Sequence, residues 1–506
     1  MTNDHQPTPE INEPIDERTL SEQATLRRQK LASLQAAGND PYLHTSYAQT
    51  HLSQPIIDGF GALENQQVGV AGRMVSRRVM GKASFAHIHD AAGRIQIYVK
   101  KDDIGEEAYK AFLEMDIGDI IGVTGAVFKT RAGEISVHAT EVVLLAKALL
   151  PLPEKFHGLK DPDLRFRNRS VDLVVTPGVR EVFQKRSAIM AAIREFLTNE
   201  GFLEIETPVL YTLEIGAAAR PFRTHLNALN LPMFLRIELE LFLKRALIGG
   251  IDRVFEMGRD FRNEGMDATH NPEFTTLELY QAYTDYNGMM TLAEDLIAHS
   301  CMAVHGTTVI TYQGTQIDLT PPFARVPMNE LVRQHTGVDF MACASDEQAR
   351  ALAKEQLHLN VEDKSATRGK LLAMAFDAFV EDKLIQPTFV LDHPVELSPL
   401  AKRKPGEELL TERFELFIAG VEYANAFSEL NDPIDQRERF VQQAQERAKG
   451  DDEAMMIDED FCLALEYGMP PTGGIGIGID RLVMLLTDSP TLRDVLLFPT
   501  MKPKND

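Results

Sequence analysis

Between Arg253 and Tyr286 the sequence RVFEMGRDFRNEGMDATHNPEFTTLELYQAYTDY gathers side chains suited to a charged ligand. Charges alternate with apolar residues from Arg253 to Gly258 and again from Phe274 to Tyr283, which predicts an antiparallel pair of strands. The loop between them holds Arg262, Asn263, Glu264, Gly265, His270, Asn271 and Pro272. A guanidinium fixed over such a loop grips a phosphoryl group in two places, so Arg262 is the phosphate candidate. Carboxylates on the return strand would meet a cation. Taken alone, the same segment also reads as a surface hairpin with solvated charges. A second stretch shifts that balance: PPTGGIGIGIDR, Pro470 to Arg481, precedes the apolar helical pattern Leu482-Val483-Met484-Leu485-Leu486. Glycines in a strand let a ligand approach the backbone closely, and Arg481 emerges where that strand becomes a helix.

A third group is Glu415, Glu422 and Glu429, on neighbouring predicted strands with a tight turn at Ala419-Gly420. Glu415 and Glu422 facing one site would suit a hard, oxygen-loving ion such as Mg²⁺, which also takes substrate phosphates as ligands. Outside such a site they are solvated acids in cross-strand ladders.

The elements that position these groups follow from the chain as a whole. At 506 residues it is long enough for two or three domains. Hydrophobic content of 44% and charged content of 25% are those of a soluble globular protein. No apolar run approaches the ~20 residues that cross a bilayer, so no membrane partner is expected. The polar, acidic N-terminus is unlike a signal peptide. Cys301, Cys343 and Cys462 are widely spaced and read as reduced core residues of a cytoplasmic protein. A net charge of −23 argues against indiscriminate binding to DNA or RNA, so an RNA would need a locally basic face.

Residues 1–64 read as an N-terminal extension, disordered to about Thr19 and helical from about Leu20 to Ala37. Arg27, Arg28 and Lys30 on that helix face either an RNA backbone or solvent. Residues 65–148 carry five short strands and one helix, the pattern of an OB-type β-barrel. Seven cations from Arg73 to Lys101 stand there against Asp90 alone, with Phe85 interleaved. Such a face could stack and hold unpaired bases, although Phe85 taken alone would more often fill a barrel core. Residues 149–174 read as a proline-punctuated linker. The remainder, 175–506, opens with an apolar-striped helix from Val179 to Asn199 and contains a helical insertion at about 326–383 without a chemical motif.

F-R-N-E-G…H-N-P-E-F followed by G-I-G-I-D-R resembles motifs 2 and 3 of class II aminoacyl-tRNA synthetases. Gly201-Phe202-Leu203-Glu204-Ile205-Glu206-Thr207-Pro208 resembles motif 1, closing on its proline. From about Leu26 onward the chain is similar to the bacterial-type lysyl-tRNA synthetases. The resemblance implies an α+β protein: a five-stranded OB-type anticodon-binding barrel, then a catalytic domain built on an antiparallel sheet flanked by helices. It implies a homodimer, formed through the helix after Val179 and the strand ending at Pro208. It also implies activation of L-lysine with ATP and transfer to the 3′ end of tRNA(Lys).

By the same resemblance Arg262 and Arg481 are catalytic, and ATP meets Arg262, Glu264, His270, Phe274 and Arg481. Lysine meets Gly216, Glu240, Glu278, Tyr280, Asn425, Phe427 and Glu429, while Glu415 and Glu422 hold Mg²⁺. Arg78, Phe85 and Gln96 read anticodon uridines. Two positions depart from the family pattern, Ile215 where glycine is common and Glu238, an extra acid beside the pocket. A related ligase charging aspartate or asparagine is disfavoured by the acidic pocket, since an aspartate-specific relative would need a cation where these carboxylates lie. A paralogue that modifies a translation factor would lack the barrel, and a catalytically dead RNA-binding form would not need Arg262, Glu415, Glu422, Glu429 and Arg481.

Overall fold

The structure, a computed structural model, describes residues 21–153, 159, 161–213, 219–363, 365–448 and 456–503. The expected disorder to Thr19 and the loop with Ile215 and Gly216 lie outside the described residues. The chain divides into two units, 1–160 and 161–506.

In the first unit helix α1 (Glu22–Ala36) begins at Ser21, whose hydroxyl accepts from Ala24 N as an N-cap. Strands β1 (Gln67–Met80), β2 (Ala83–His89), β3 (Arg94–Lys100), β4 (Ile120–Lys129) and β5 (Ile135–Ala146) close a barrel in the order β1-β2-β3-β5-β4. Alternation sends Ile88, Ile95, Ile97, Val123 and Val137 inside, joined by Tyr109 and Phe112 of α2 (Glu106–Glu114). A register shift between Met74 and Ser76 lets β1 bend from β4 onto β2.

The cations of this unit are largely structural. Arg27 of α1 donates to Ile117 O, Ala148 O and Leu150 O, and Lys30 to Glu114 O and Asp116. Arg73 donates to Gly118 O, and Arg77 to Phe112 O and Met115 O. Lys100 pairs with Asp102 and Asp103, and Lys101 with Glu106. The basic run therefore shrinks to Arg78, Lys82 and Arg94 as exposed cations.

In the second unit the expected linker is folded from Pro162 onward, a correction with a local cause. Asp161 caps and Pro162 opens a helix to Arg167, and a second follows from Arg169 to Val175. Arg169 is fully buried, donating to Arg493 O, Leu496 O and Leu497 O and pairing with Asp172 at 2.8 Å.

Next come α3 (Val179–Asn199), β6 (Leu203–Glu204), α4 (Glu240–Ile248), β7 (Arg253–Phe261), β8 (Glu273–Ala282) and α5 (Tyr286–His305). The insertion follows β9 (Ala324–Pro327) with α6 (Met328–Thr336), α7 (Asp346–Glu355) and α8 (Arg368–Phe379). It has its own core around Val332, Phe340, Leu371 and Phe376. The sheet resumes with β10 (Thr388–Leu391), β11 (Arg413–Ile418) and β12 (Val421–Ser428). After α9 (Pro433–Ala448) and α10 (Glu459–Glu466), β13 (Thr472–Gly478) runs straight into α11 (Ile479–Leu486).

The eight strands order as β9-β10-β11-β12-β13-β8-β7-β6, antiparallel except for the two edge pairs. Phe255, Leu277, Leu279, Ile475, Ile477, Phe414 and Leu416 point to one face and pack on α3, α5 and α11. The apolar stripe of α3 is spent here: Ile193 and Leu197 are fully buried in this core, with Val182, Met190 and Phe196 against it. The alternate residues of the same strands point to the opposite face. Among the described residues no helix is long and apolar enough to cross a membrane.

The barrel contains one testable dependence. Lys147 Nζ lies 2.6 Å from Asp116 and 2.8 Å from Asp119, with the Lys147 and Asp119 side chains essentially unexposed. Lys147→Met leaves a buried carboxylate without its cation, which costs about 3–5 kcal/mol. Hydrogen exchange in β4 and β5 should accelerate accordingly; unchanged protection there would show the pair to be dispensable.

Candidate active site

The polar face of the sheet carries a cavity of about 420 Å³ over β8, β13 and β12. Its floor is set by register, because directly paired residues share a face. One row runs Glu278, Gly476, Asn425 and Glu415 across four strands, and the next runs Tyr280, Gly474, Phe427 and Arg413. The glycines of β13 thus sit centrally in both rows while Ile475 and Ile477 fill the core below. A Cβ at Gly474 would meet Glu429 Oε1 and lie 2.5 Å from Tyr280 Cε1, so any side chain there would have to displace both.

One end of the cavity is acidic. Glu240 projects from the first turn of α4, Glu278 from β8, and Glu429 from just beyond β12. Burial, then Asp260 and Glu240, push Glu278 up to about 8, against a hydrogen bond donated by Tyr280 Oη at 2.9 Å. Burial pushes Glu429 upward and Lys244 pulls it back. Glu238 lies buried behind this group and is pushed up by burial, then by Glu240 and Glu278. The cation inside the cluster is Lys244, fully buried on α4. Its Nζ is 2.5 Å from Glu240 Oε1, is ion-paired with Glu429, and sits 5.4 Å from the Phe427 ring centroid.

The other end is cationic. The Arg262 guanidinium lies 5.2 Å from the centroid of the Phe274 ring, and its backbone N–H is tied to Pro272 O across the hairpin. Arg481, at the start of α11, donates to Glu422 O at 2.7 Å, and its Nη2 is 3.5 Å from His270 Nε2. The neighbouring Asp480 anchors that turn, accepting from Thr275 N and pairing with Arg186 of α3 at 2.6 Å. Glu264 and Glu422 complete the wall. Burial, then Glu415, push Glu422 upward. Glu415 itself stands one strand beyond the cavity wall, where Arg413 reaches it at 2.7 Å and also donates to Asn425 at 2.9 Å. Gly216 lies outside the described residues.

On the barrel, Arg78, Phe85 and Tyr98 form one cross-strand row, and Ser76, His87, Gln96 and Ser136 form the adjacent row on the same outer face. Phe85 is half-buried and packs on Tyr98 at 4.9 Å, which is not a core position. Gln96 donates to Glu134 at 2.7 Å, and His87 Nε2 lies 2.9 Å from the same carboxylate.

A family described as tRNA synthetases class II (D, K and N) matches residues 161–502, and one described as OB-fold nucleic acid binding domain matches 68–145. The chain belongs to the class II tRNA synthetases. Curated relatives named lysine–tRNA ligase include that of Clostridium acetobutylicum, 58% identical over 94% of this chain and 93% of the relative. The Thermoanaerobacter pseudethanolicus protein is 58% identical over 96% and 97%, and that of Clostridium perfringens 56% over 98% and 99%.

Sequence reasoning missed two cations of this synthetase. Lys244 carried a signal, a lysine that with Arg245 interrupts the otherwise apolar Leu241–Leu247 and lies four residues after Glu240, the spacing of helical neighbours. Arg413 shares a strand face with Glu415 by the two-residue period. Tyr98 and Glu134 on the barrel became visible only through strand pairing.

Gly474 gives the site its sharpest steric test. Gly474→Ala should keep the fold but displace Glu429 and Tyr280, lowering amino-acid-dependent ATP–pyrophosphate exchange by more than about tenfold. Near-normal exchange would mean that the two side chains swing aside without consequence.

Proposed function

We propose that the protein is a lysine–tRNA ligase, activating L-lysine with ATP and passing it to the 3′ end of tRNA(Lys). The observation that carries this reading is one cavity with Glu240, Glu278 and Glu429 at one end and Arg262 and Arg481 at the other. Lysine brings two ammonium groups, and buried ammonium requires negative partners. An aspartate substrate would place its side-chain carboxylate among three acids. The lysine–tRNA ligase names of the relatives agree with the acidic pocket.

In the first step the lysine carboxylate attacks the α-phosphorus in line as the bond to the β-bridging oxygen breaks, giving lysyl-adenylate and pyrophosphate. The nucleophile is already anionic, so positioning and charge stabilisation suffice without a general base. Glu240, Glu278, Tyr280, Asn425, Phe427 and Glu429, with Gly216, hold the lysine. Phe274 stacks on adenine with Glu264 nearby, Arg262 bridges the attacking carboxylate and the α-phosphate, and His270 and Arg481 meet the β- and γ-phosphates. In the second step the 3′-hydroxyl of the terminal adenosine attacks the anhydride carbonyl, loses its proton and expels AMP.

Glu415 and Glu422 would hold Mg²⁺. The fit rests on two hard oxygen donors close enough for Glu415 to push Glu422 upward. Among the described residues no group of three His, Cys, Asp or Glu side chains assembles around a common point, so water and phosphate oxygens would complete the shell. Held by Glu415 and Glu422, such an ion would supply positive charge to offset that of the phosphates.

Arg78, Phe85 and Gln96 read anticodon uridines on the outer face of the barrel, with Phe85 offering a stacking surface. A homodimer is supported by exposed apolar residues on and after the motif 1 strand: Leu203, Val209, Leu210 and Leu213. A cytoplasmic setting is supported by three buried, unpaired cysteines.

ATP–pyrophosphate exchange across all proteinogenic amino acids tests the assignment: lysine alone should drive it, and exchange driven by aspartate or asparagine would overturn it. The pH dependence follows from Glu278. Its carboxyl must be ionised to meet an ammonium group, so kcat/KM for lysine should rise as pH increases through about 8. Glu278→Gln should remove the Glu278 part of that rise and leave the limb that Glu429 sets, and a wild-type profile flat across this value would remove the Glu278 ionisation from recognition.

Phe85→Ala should weaken tRNA charging by about 1–3 kcal/mol and spare lysyl-adenylate formation. Equal loss in both half-reactions would contradict a purely anticodon role.

A further inference from the structure

Lys244 belongs to the amino-acid pocket, and the reaction above leaves it unused. It does not line the cavity, yet it touches two of the acids that do. Its ammonium approaches from the helix side, 2.5 Å from Glu240 Oε1 and ion-paired with Glu429, while the Phe427 and Phe461 ring centroids stand 5.4 and 6.0 Å away. The side chain has no exposure. A lysine buried this deeply is tolerated only with anionic partners. Here the partners come from different elements, Glu240 from the same helix one turn earlier and Glu429 from the end of β12. The contact therefore ties α4 to the sheet at the acidic end of the cavity.

We infer that Lys244 is a positioning residue: from behind the cavity it holds Glu240 and Glu429 in place for the substrate and so sets the pocket's selection for a side chain bearing an ammonium group. This rests on the lysine reading of the same cavity and deepens it. Glu238 before α4 and Glu278 on β8 crowd Glu240, Glu278 also faces Glu429, and Asp260 on β7 acts on both Glu238 and Glu278. Tyr280 on β8 and Cys462 on α10 also face this region, and on the far side Arg245 is neutralised by Asp458 at 2.5 Å. Without a resident cation, like charges in a dry pocket would repel and protonate before the substrate arrived. The direction of the shifts agrees. Burial would pull Lys244 down, but Glu240 and Glu429 outweigh it and hold it above its ordinary value; burial pushes Glu429 up, and Lys244 opposes that rise.

The geometry also explains how a chain lysine and a substrate lysine share acids without excluding one another. Glu429 Oε1 leans over Gly474 on the cavity side, whereas Oε2 is the atom nearest Lys244. One carboxylate can therefore serve the resident cation with one oxygen and the incoming ammonium with the other.

The test uses the full chain in ATP–pyrophosphate exchange. Lys244→Met should raise the lysine KM by more than about tenfold while ATP KM stays near wild type. The acidic limb of kcat/KM for lysine should move to higher pH, because Glu429 loses the cation that opposed its rise. Preference for lysine over norleucine, which lacks the ε-amino group, should fall. Lys244→Arg, which keeps the charge, should return the acidic limb towards its wild-type position. Lys244→Gln is read in the same way if the Met variant does not fold. A lower melting temperature with unchanged lysine KM, acidic limb and norleucine discrimination would overturn the inference, leaving Lys244 a structural ion pair. A wild-type protein that gives no lysine-dependent exchange would instead overturn the parent reading. Lysine-dependent wild-type exchange with kinetically unaltered variants would overturn the positioning role alone.

Discussion

The pairing of β13 between β8 and β12 is the constraint on which the rest of the catalytic unit depends. A strand in the middle of a sheet is paired along both edges, and its side chains alternate between two faces. β13 resolves this with Ile475 and Ile477 in the core and glycine at 474, 476 and 478 on the other side. The bare face allows Glu429 and Tyr280 to lie across Gly474 where any Cβ would collide. It also brings polar side chains of two non-adjacent strands around one open volume. Because β13 leads directly into α11, the same strand sets Arg481 at the far end of that volume.

Charge is then sorted along the cavity. The acidic end is dry, and its carboxylates are pushed towards neutrality by burial and by one another; resident cations offset part of this. Lys244 opposes the rise of Glu429, while beyond the cavity wall Arg413 pairs with Glu415 and donates to Asn425. Arg236 plays a related part below the hairpin, pairing with Glu256 at 2.7 Å while donating to Arg259 O and Thr207 O. At the cationic end Arg262 lies over Phe274, and Arg481 is steadied by a carbonyl. Arginine suits this end because its fork stays charged and can bind two oxygens at once. An amino acid with two ammonium groups and an anionic nucleotide would each find the opposite charge.

The barrel shows how little a count of charges says about a surface. Seven cations precede α2, yet Arg73 and Arg77 are consumed by backbone carbonyls, and Lys100 and Lys101 by acids that arrive later in the chain. What the outer face offers an RNA is instead a compact pattern of Arg78, Phe85, Tyr98 and Gln96, with Glu134 and His87 bonded around the amide. Sparse cations with oriented acceptors suit reading of base edges more than general attraction to phosphate, in keeping with the strongly acidic whole.

Local pattern alone determined a good deal. Alternating runs and glycine turns located the five barrel strands and the β7–β8 hairpin; Arg262, Phe274, Glu278 and Arg481, grouped through the family resemblance, line one cavity. These features are legible because strand period and turn chemistry are short-range. Three things were decided only by tertiary structure. Pro162 began a helix instead of a linker, because Asp161 caps it and Arg169 finds carbonyls more than three hundred residues later. The stripe of α3 went into the core. Above all, Lys244 became the counter-ion of Glu429, a partner 185 positions away in sequence. Ion pairs of this kind depend on which strands become neighbours and on how dry their contact is, and neither is encoded in any single stretch of chain.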